Sequence, residues 1–214
     1  VRGLRKIAAP DDNSRYKKLS AIVDRLIWAI KHGEPIPPFQ ENLDIADAYE
    51  IQKKVSNRIY SSQLVGLKAG VTSEEMQNAL KIKSPLIGGL FQENRLDKRP
   101  KLPFREGRLI ECELGIFSDI HGNVQAICPA IEFAVLDFEK KTDLRGPNLV
   151  ASNVAVEKFL LGKKSIDIDS LSKERCSLFR GNTQVNGAYI GNSLGGPREA
   201  AKFIASEALR RGYA

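Results

Sequence analysis

Leu109-Ile-Glu-Cys-Glu-Leu-Gly-Ile116 is the stretch on which the reading of this chain turns. It lies inside Arg108 to Phe117, a proline-free run that is the clearest strand pattern in the sequence. Successive side chains of a strand point to opposite faces. Ile110, Cys112, Leu114 and Ile116 then share one face, expected to be a core face, and Glu111 and Glu113 share the other. Two carboxylates on one strand face repel each other unless something neutralises them. A divalent cation such as Mg²⁺ or Mn²⁺ takes oxygen ligands of this kind. The motif alone leaves a second reading open, a solvent-facing strand whose outward residues are acidic.

A third acid bears on the choice. Pro129-Ala-Ile-Glu-Phe133 puts Glu132 among apolar residues in a second predicted strand, Ile127 to Leu136. A charge in such a setting needs a partner. If the two strands pack side by side, Glu132 closes a three-carboxylate site. Asp137, five residues on, is a reserve candidate for that site, with a strand-end residue as the expected reading. Lys68 is flanked by small and apolar residues in Gly66-Leu-Lys-Ala-Gly70. It reads either as a lysine whose pKa is lowered enough to exchange protons near neutrality, or as a snorkelling strand-end lysine.

Further from this centre the periodicity changes. Residues 14–32 carry Leu19, Ile22, Val23, Leu26, Ile27 and Ile30 at helical spacing, with Gly33 as a stop. Glu34-Pro-Ile-Pro-Pro38 is a linker. Asp44 caps a second helix bearing Ile45, Ala48, Tyr49, Gln52, Val55 and Ile59. Residues 1–62 thus read as an N-terminal helical appendage to a region spanning 63–214. Leu64 to Leu67 is a short strand entering Lys68-Ala-Gly70, and Thr72-x-x-Glu75 is a capping box opening a short helix through Leu80. Ser84-Pro-Leu-Ile-Gly-Gly89 reads as a loop. Residues 175–191 read as a hairpin or meander with turns at Gly181-Asn182 and Asn186-Gly187. A last helix starts at Pro197, carries Ala200, Ala201, Ile204 and Ala208 on one face, and ends at Gly212.

Composition bounds the function. With 214 residues, 42% hydrophobic and 28% charged, the chain has a globular composition, neither disordered nor collagenous. Its apolar runs are too short to span a membrane and no signal-peptide pattern opens it, so no membrane role is expected. It begins at Val1 rather than Met, which leaves open a removed or omitted upstream segment. Cys112, Cys128 and Cys176, an odd number without C-x-x-C, argue against a disulfide framework or a Cys-rich zinc site and fit a reducing, cytoplasmic setting. His32 and His121 are the only histidines, which excludes a His-rich metal centre. His32 reads as a helix-end residue and His121 as part of a turn. The net charge of +7 gives a basic surface that attracts anions. No dense Lys/Arg tract interleaved with aromatics is present, so no nucleic acid is expected as a partner. Gly162-Lys-Lys-Ser165, Asp167-Ile-Asp169 and Gly191 to Gly196 each fail as a phosphate loop, a calcium loop and a dinucleotide fingerprint.

Taken in order, seven short motifs resemble the fumarylacetoacetate hydrolase superfamily, in its 2-keto-4-pentenoate hydratase and 4-oxalocrotonate decarboxylase branch. They are Ala48-Tyr-Glu-Ile-Gln52, Gly66-Leu-Lys-Ala-Gly-Val-Thr-Ser73, Ser84-Pro-Leu-Ile-Gly88, Ile110-Glu-Cys-Glu-Leu114, Pro129-Ala-Ile-Glu132, Ala151-Ser-Asn153 and Gly195-Gly-Pro197. Each is weak alone. Their order, with G-x-K-x-G-x-T-S, E-x-E and P-A-x-E together, makes the resemblance specific from residue 39 onward.

The resemblance implies an α+β fold, a mixed β-roll or half-barrel preceded by N-terminal helices, with 63–214 as the metal-binding catalytic domain. It implies Mg²⁺ or Mn²⁺ held by Glu111, Glu113 and Glu132, Lys68 as the active-site lysine, and Thr72 and Ser73 near the substrate or capping the next helix, capping being the expected role of Thr72. It further implies a lyase, hydratase or decarboxylase, acting on a small 2-oxo or 2-hydroxydienoate acid through a metal-stabilised enolate. Self-association into a homo-oligomer and a complex with a pathway partner enzyme of aromatic-compound catabolism are expected with it. Leu86 stands where hydratases of the branch carry an acid, Leu109 where a basic residue is usual, and Ser152 where the branch has Asp. The 19-residue step from Glu113 to Glu132 is shorter than the helical connection of relatives, and the chain ends where relatives continue into further strands. A missing loop and tail are the expected reason. Two alternatives stay open: a non-catalytic, degenerate partner subunit, and an acylpyruvate-type C–C hydrolase, for which His121 is the one histidine on offer.

Overall fold

Helical periodicity meets its capping residues at three places, and three long helices form there. A computed structural model of the chain describes residues 12–39, 43–97, 100–171, 173–192 and 194–213. Helix α1 (Asp12–His32) buries Ile22, Val23, Leu26 and Ala29 along one stripe. Its end carries His32, whose Nδ1 lies 2.8 Å from the Trp28 carbonyl oxygen and whose ring stacks on Trp28. Helix α2 (Ile45–Ile59) starts at Asp44, whose side chain accepts the Asp47 N–H at 2.7 Å.

Strand β1 (Leu64–Gly70) follows, then helix α3 (Glu74–Ala79). The cap of α3 is Ser73 and not Thr72: the Ser73 hydroxyl accepts the Met76 N–H at 3.3 Å. Strand β2 (Leu86–Phe91) pairs antiparallel with β1, with Lys68 opposite Gly88. The expectation of a loop at Ser84 to Gly89 is therefore corrected from Leu86 onward. Glycine here serves close approach and not a turn. A Cβ on Gly88 would stand 2.7 Å from the Asn153 carbonyl oxygen. Beside it, the buried Asn153 side chain accepts the Gly89 N–H at 2.7 Å and donates to the Gly89 carbonyl at 2.9 Å.

Strands β3 (Arg108–Ser118), β4 (Val124–Val135) and, beyond helix α4 (Gly146–Ala151), β5 (Val156–Leu161) form an antiparallel sheet in the order β3-β4-β5. The β3–β4 connection is a tight turn. Asp119 Oδ1 accepts the N–H groups of His121 and Asn123, each at 2.9 Å. Gly122 takes φ +80°, and a Cβ there would lie 2.8 Å from Lys202 Cα. No helix is needed to join the two strands. Strand β5 has no counterpart in the sequence reading.

After helix α5 (Ile168–Leu171) come β6 (Arg175–Arg180) and β7 (Thr183–Tyr189), a two-stranded sheet of their own, and helix α6 (Pro197–Arg211). The expected turn at Gly181-Asn182 joins β6 to β7, but Asn186-Gly187 lies inside β7 and makes no turn.

One apolar core contains Ile22 and Leu26 of α1, Ile51 and Val55 of α2, Ile87 of β2 and Val150 of α4. Burial of this kind contributes roughly 25 cal/mol per Å² of apolar surface. Within it Gln52, fully buried, donates to the carbonyls of Ile87 and Val150 at 3.0 and 2.9 Å, and the Tyr49 hydroxyl accepts the Ile87 N–H at 3.0 Å. These bonds hold β2 against the helices. The apolar face of β3 is outside this core, contrary to expectation. Ile110 is 53% exposed, and Cys112, Leu114 and Ile116 are only partly covered. β3 is an edge strand, and its neighbour β6 belongs to a small hairpin that covers it incompletely. Among the described residues no helix is long and apolar enough to cross a membrane.

Candidate metal centre

The β3–β4 register assembles the acids. Glu111 pairs directly with Glu132, and Glu113 with Ala130. Opposed residues of an antiparallel pair have Cβ atoms about 4.5–5.5 Å apart, on the same face of the sheet. Strand alternation adds Glu113 to that face, two residues from Glu111. Each of Glu111, Glu113 and Glu132 presents a carboxylate oxygen within 4.8 Å of the others. Asp137, the strand-end acid, is not in this group.

Lys68 reaches the group from the other sheet. Its Nζ donates to Glu132 Oε1 at 2.6 Å, with the two side chains 13% and 6% exposed. One ammonium cannot balance three carboxylates, and burial together with the neighbouring acid charges raises the pKa of two of them, Glu113 and Glu132. Glu113 is pushed up to about 7, first by burial, then by the Glu132 carboxylate, with Lys68 opposing and Glu111 adding. Glu113 is nonetheless exposed at its surface. The two facts agree because it opens onto a cavity: solvent touches it there while protein encloses it on the other sides. Glu132 is likewise raised, by burial first, with the Lys68 charge and hydrogen bond opposing. This donor set, all oxygen and short of positive charge, suits a hard divalent cation.

Lys68, Glu113 and Glu132 line a cavity of about 670 Å³. Thr72 lines it too; Ser73, spent on the cap of α3, does not. The walls come from β1, β3, β4, the end of β7 and the first turns of α6, where Pro197, Ala200 and Ile204 face inward. Sequence reasoning missed several residues here. Cys112 and Cys176 both line the cavity with their sulfurs 3.4 Å apart, and the Cys112 thiol is pushed up to about 12 by burial and by Cys176 beside it. Arg95 and Lys164 supply further positive charge to the walls. Arg95 and Cys176 stand in no local pattern that marks them, and Cys112 and Lys164, though inside patterns read above, meet the cavity only through tertiary contact.

No family model matches the chain. Comparison with known proteins does find relatives. A 2-keto-4-pentenoate hydratase of Dechloromonas aromatica is 27% identical over 206 residues, covering 86% of this chain and 78% of the relative. Another, from Paraburkholderia phymatum, is 28% identical over 231 residues, covering 94% and 83%. Among solved structures, 4-oxalocrotonate decarboxylase from Pseudomonas putida G7, complexed with magnesium and adipate, superposes with a TM-score of 0.77 at 19% identity, covering 92% of this chain and 82% of that one. In sequence the chain is hydratase-like and in fold decarboxylase-like. This is the branch of the fumarylacetoacetate hydrolase superfamily that the motifs resemble. The decarboxylase is also known complexed with calcium and acetate, with a TM-score of 0.71 at 17% identity. The structural neighbours thus carry divalent metals, and the fold shared with them is a mixture of helices and antiparallel strands.

Proposed function

We propose that this chain is a divalent-metal-dependent lyase acting on a small 2-oxo or 2-hydroxydienoate acid. The observation that carries the reading is the convergence of Glu111, Glu113 and Glu132 within 4.8 Å, with Lys68 on Glu132, at a cavity large enough for such a substrate. In this reading the three carboxylates hold Mg²⁺ or Mn²⁺. When bound, the ion acts as a Lewis acid on the carboxylate and keto oxygens of the substrate. Lys68 Nζ is the catalytic group that carries a proton to or from the substrate carbon next to the keto group. Thr72 contributes its hydroxyl to the substrate wall. Ser73 serves the same wall by fixing the turn that carries Thr72.

Between the two lyase reactions, decarboxylation is favoured. Leu86 stands where the resemblance places the acid of a hydratase, and its hydrocarbon side chain carries no group that can donate a proton. The C–C hydrolase reading has little support, since no histidine lines the cavity among the described residues. The degenerate partner subunit is the second reading. It is favoured by Leu86, by the half-exposed Leu109 and by Ser152, whose hydroxyl is spent on the Leu149 carbonyl at 3.0 Å. The same proposal includes the β-roll or half-barrel form of the fold, a division into a helical region 1–62 and a catalytic region 63–214, a homo-oligomer, a complex with a pathway partner enzyme, and a cytoplasmic setting.

The test is Mn²⁺ calorimetry with and without oxalate, which mimics the enolate of a 2-oxo acid. Binding that oxalate strengthens and Glu113→Ala abolishes supports the lyase reading and opens a screen of 2-oxo acids. A folded protein that does not bind Mn²⁺ overturns it in favour of the partner subunit.

A further inference from the structure

We propose that Cys112 and Cys176 are a modifiable dithiol, which a peroxide converts to a disulfide fastening the β6–β7 hairpin to β3 at the cavity wall. This holds whether or not the lyase reading does.

The two cysteines stand 64 residues apart in sequence and on different sheets, yet their sulfurs are 3.4 Å apart and both thiols are free. A disulfide bond is about 2.05 Å long, so the sulfurs need to close by roughly 1.4 Å. The surroundings allow that movement. Among the described residues β6 and β7 pair only with each other, and β3 is the edge of its sheet. The hairpin can therefore shift toward β3 without breaking a strand ladder. Both cysteines line the cavity, so a small oxidant reaches them from solvent. Cys128, the third cysteine, is 2% exposed and outside the cavity lining.

The chemistry balances with the peroxide as oxidant. One thiolate attacks the O–O bond and becomes a sulfenic acid as the other oxygen leaves. The neighbouring thiol attacks that sulfur, forming the S–S bond and expelling water. In total, two thiols lose two protons and two electrons, and hydrogen peroxide becomes two waters. Burial of Cys112 slows its oxidation, so the reaction is followed over hours.

The consequence falls on the cavity. Cys112 stands between Glu111 and Glu113, and Cys176 Sγ lies 3.6 Å from the Glu113 carbonyl oxygen. Ala188 and Tyr189, on the partner strand of the hairpin, form part of the wall. A disulfide here makes a loosely attached wall a fixed one.

The full chain is treated with hydrogen peroxide, denatured, and its thiols counted. The expected result is a fall from three thiols to one, an intact chain two hydrogens lighter, a Cys112–Cys176 linked peptide, and reversal by dithiothreitol. Amide exchange across β6 and β7 in the oxidised protein slows about tenfold or more. Cys128→Ala keeps the cross-link and Cys176→Ser loses it; if Cys176→Ser fails to fold, Cys112→Ser makes the same comparison. Three free thiols persisting in the folded, treated protein would overturn the proposal. So would a link through Cys128, a link between two chains, or overoxidation without a link.

Discussion

Lys68 of β1 and Glu132 of β4 meet at 2.6 Å across two separate sheets, nearly out of reach of solvent. Their pairing ties the short β1–β2 ribbon to the sheet that carries the acids. Removing one partner leaves the other charge buried without compensation, which costs about 3–5 kcal/mol. Lys68→Met is expected to lower the unfolding free energy of the metal-free protein by roughly that range in urea titration. Saturating Mn²⁺ should recover part of the loss, because the ion takes over the neutralisation of Glu132. A loss unchanged by Mn²⁺ would count against a shared site.

The raised pKa of Glu113 makes stability depend on pH, and the direction is fixed by its sign. Folding lifts this carboxyl from its ordinary 4.5 to about 7, so between those values the folded chain binds more protons than the unfolded one. The contribution to stability is fully present below pH 4.5 and is lost as pH rises through about 7. The metal-free protein should therefore melt at a lower temperature as pH rises across this window. Glu113→Gln should flatten the slope. Calorimetry in buffers of differing ionisation heat should show Mn²⁺ displacing protons within the window and none well above it.

Asn153 serves the strand that faces Lys68. Its amide makes both hydrogen bonds to Gly89 while its backbone sits at φ +58°. Asn153→Ala orphans a buried N–H and a buried C=O and places an alanine in the left-handed region. A loss of about 2–4 kcal/mol is expected. The check is urea titration together with amide exchange at Gly89, which should rise more than exchange in α2.

The turn between β3 and β4 offers a separate test of how the acids are held. At Gly122 an added methyl meets the α6 backbone at 2.8 Å and the positive φ disfavours any L side chain. Gly122→Ala should destabilise the protein by about 1–3 kcal/mol. It should also weaken Mn²⁺ binding less than Glu113→Ala does, since the register opposing Glu111 and Glu132 lies well along the strands from the turn.

Much of this protein is written locally. Alternation over Arg108 to Phe117 is enough to put Glu111 and Glu113 on one face, because a strand repeats every two residues whatever lies beside it. The stripes of α1 and α2, the Asp44 cap and the start of α6 at Pro197 are equally local. The acids and Lys68 could be singled out by their immediate neighbours. What lay beyond reach were relations between distant segments. The opposition of Glu111 to Glu132 needed the β3–β4 register, and the Lys68–Glu132 contact needed two sheets to face each other. Strand β2 looked like a loop because Gly88 and Gly89 answer to the close approach of Asn153, not to their own backbone preference. The exposed face of β3 and the approach of Cys176 to Cys112 followed from which neighbour covers an edge strand. Periodicity and capping are properties of a few consecutive residues; register, coverage and the meeting of side chains from different sheets exist only once the chain has packed.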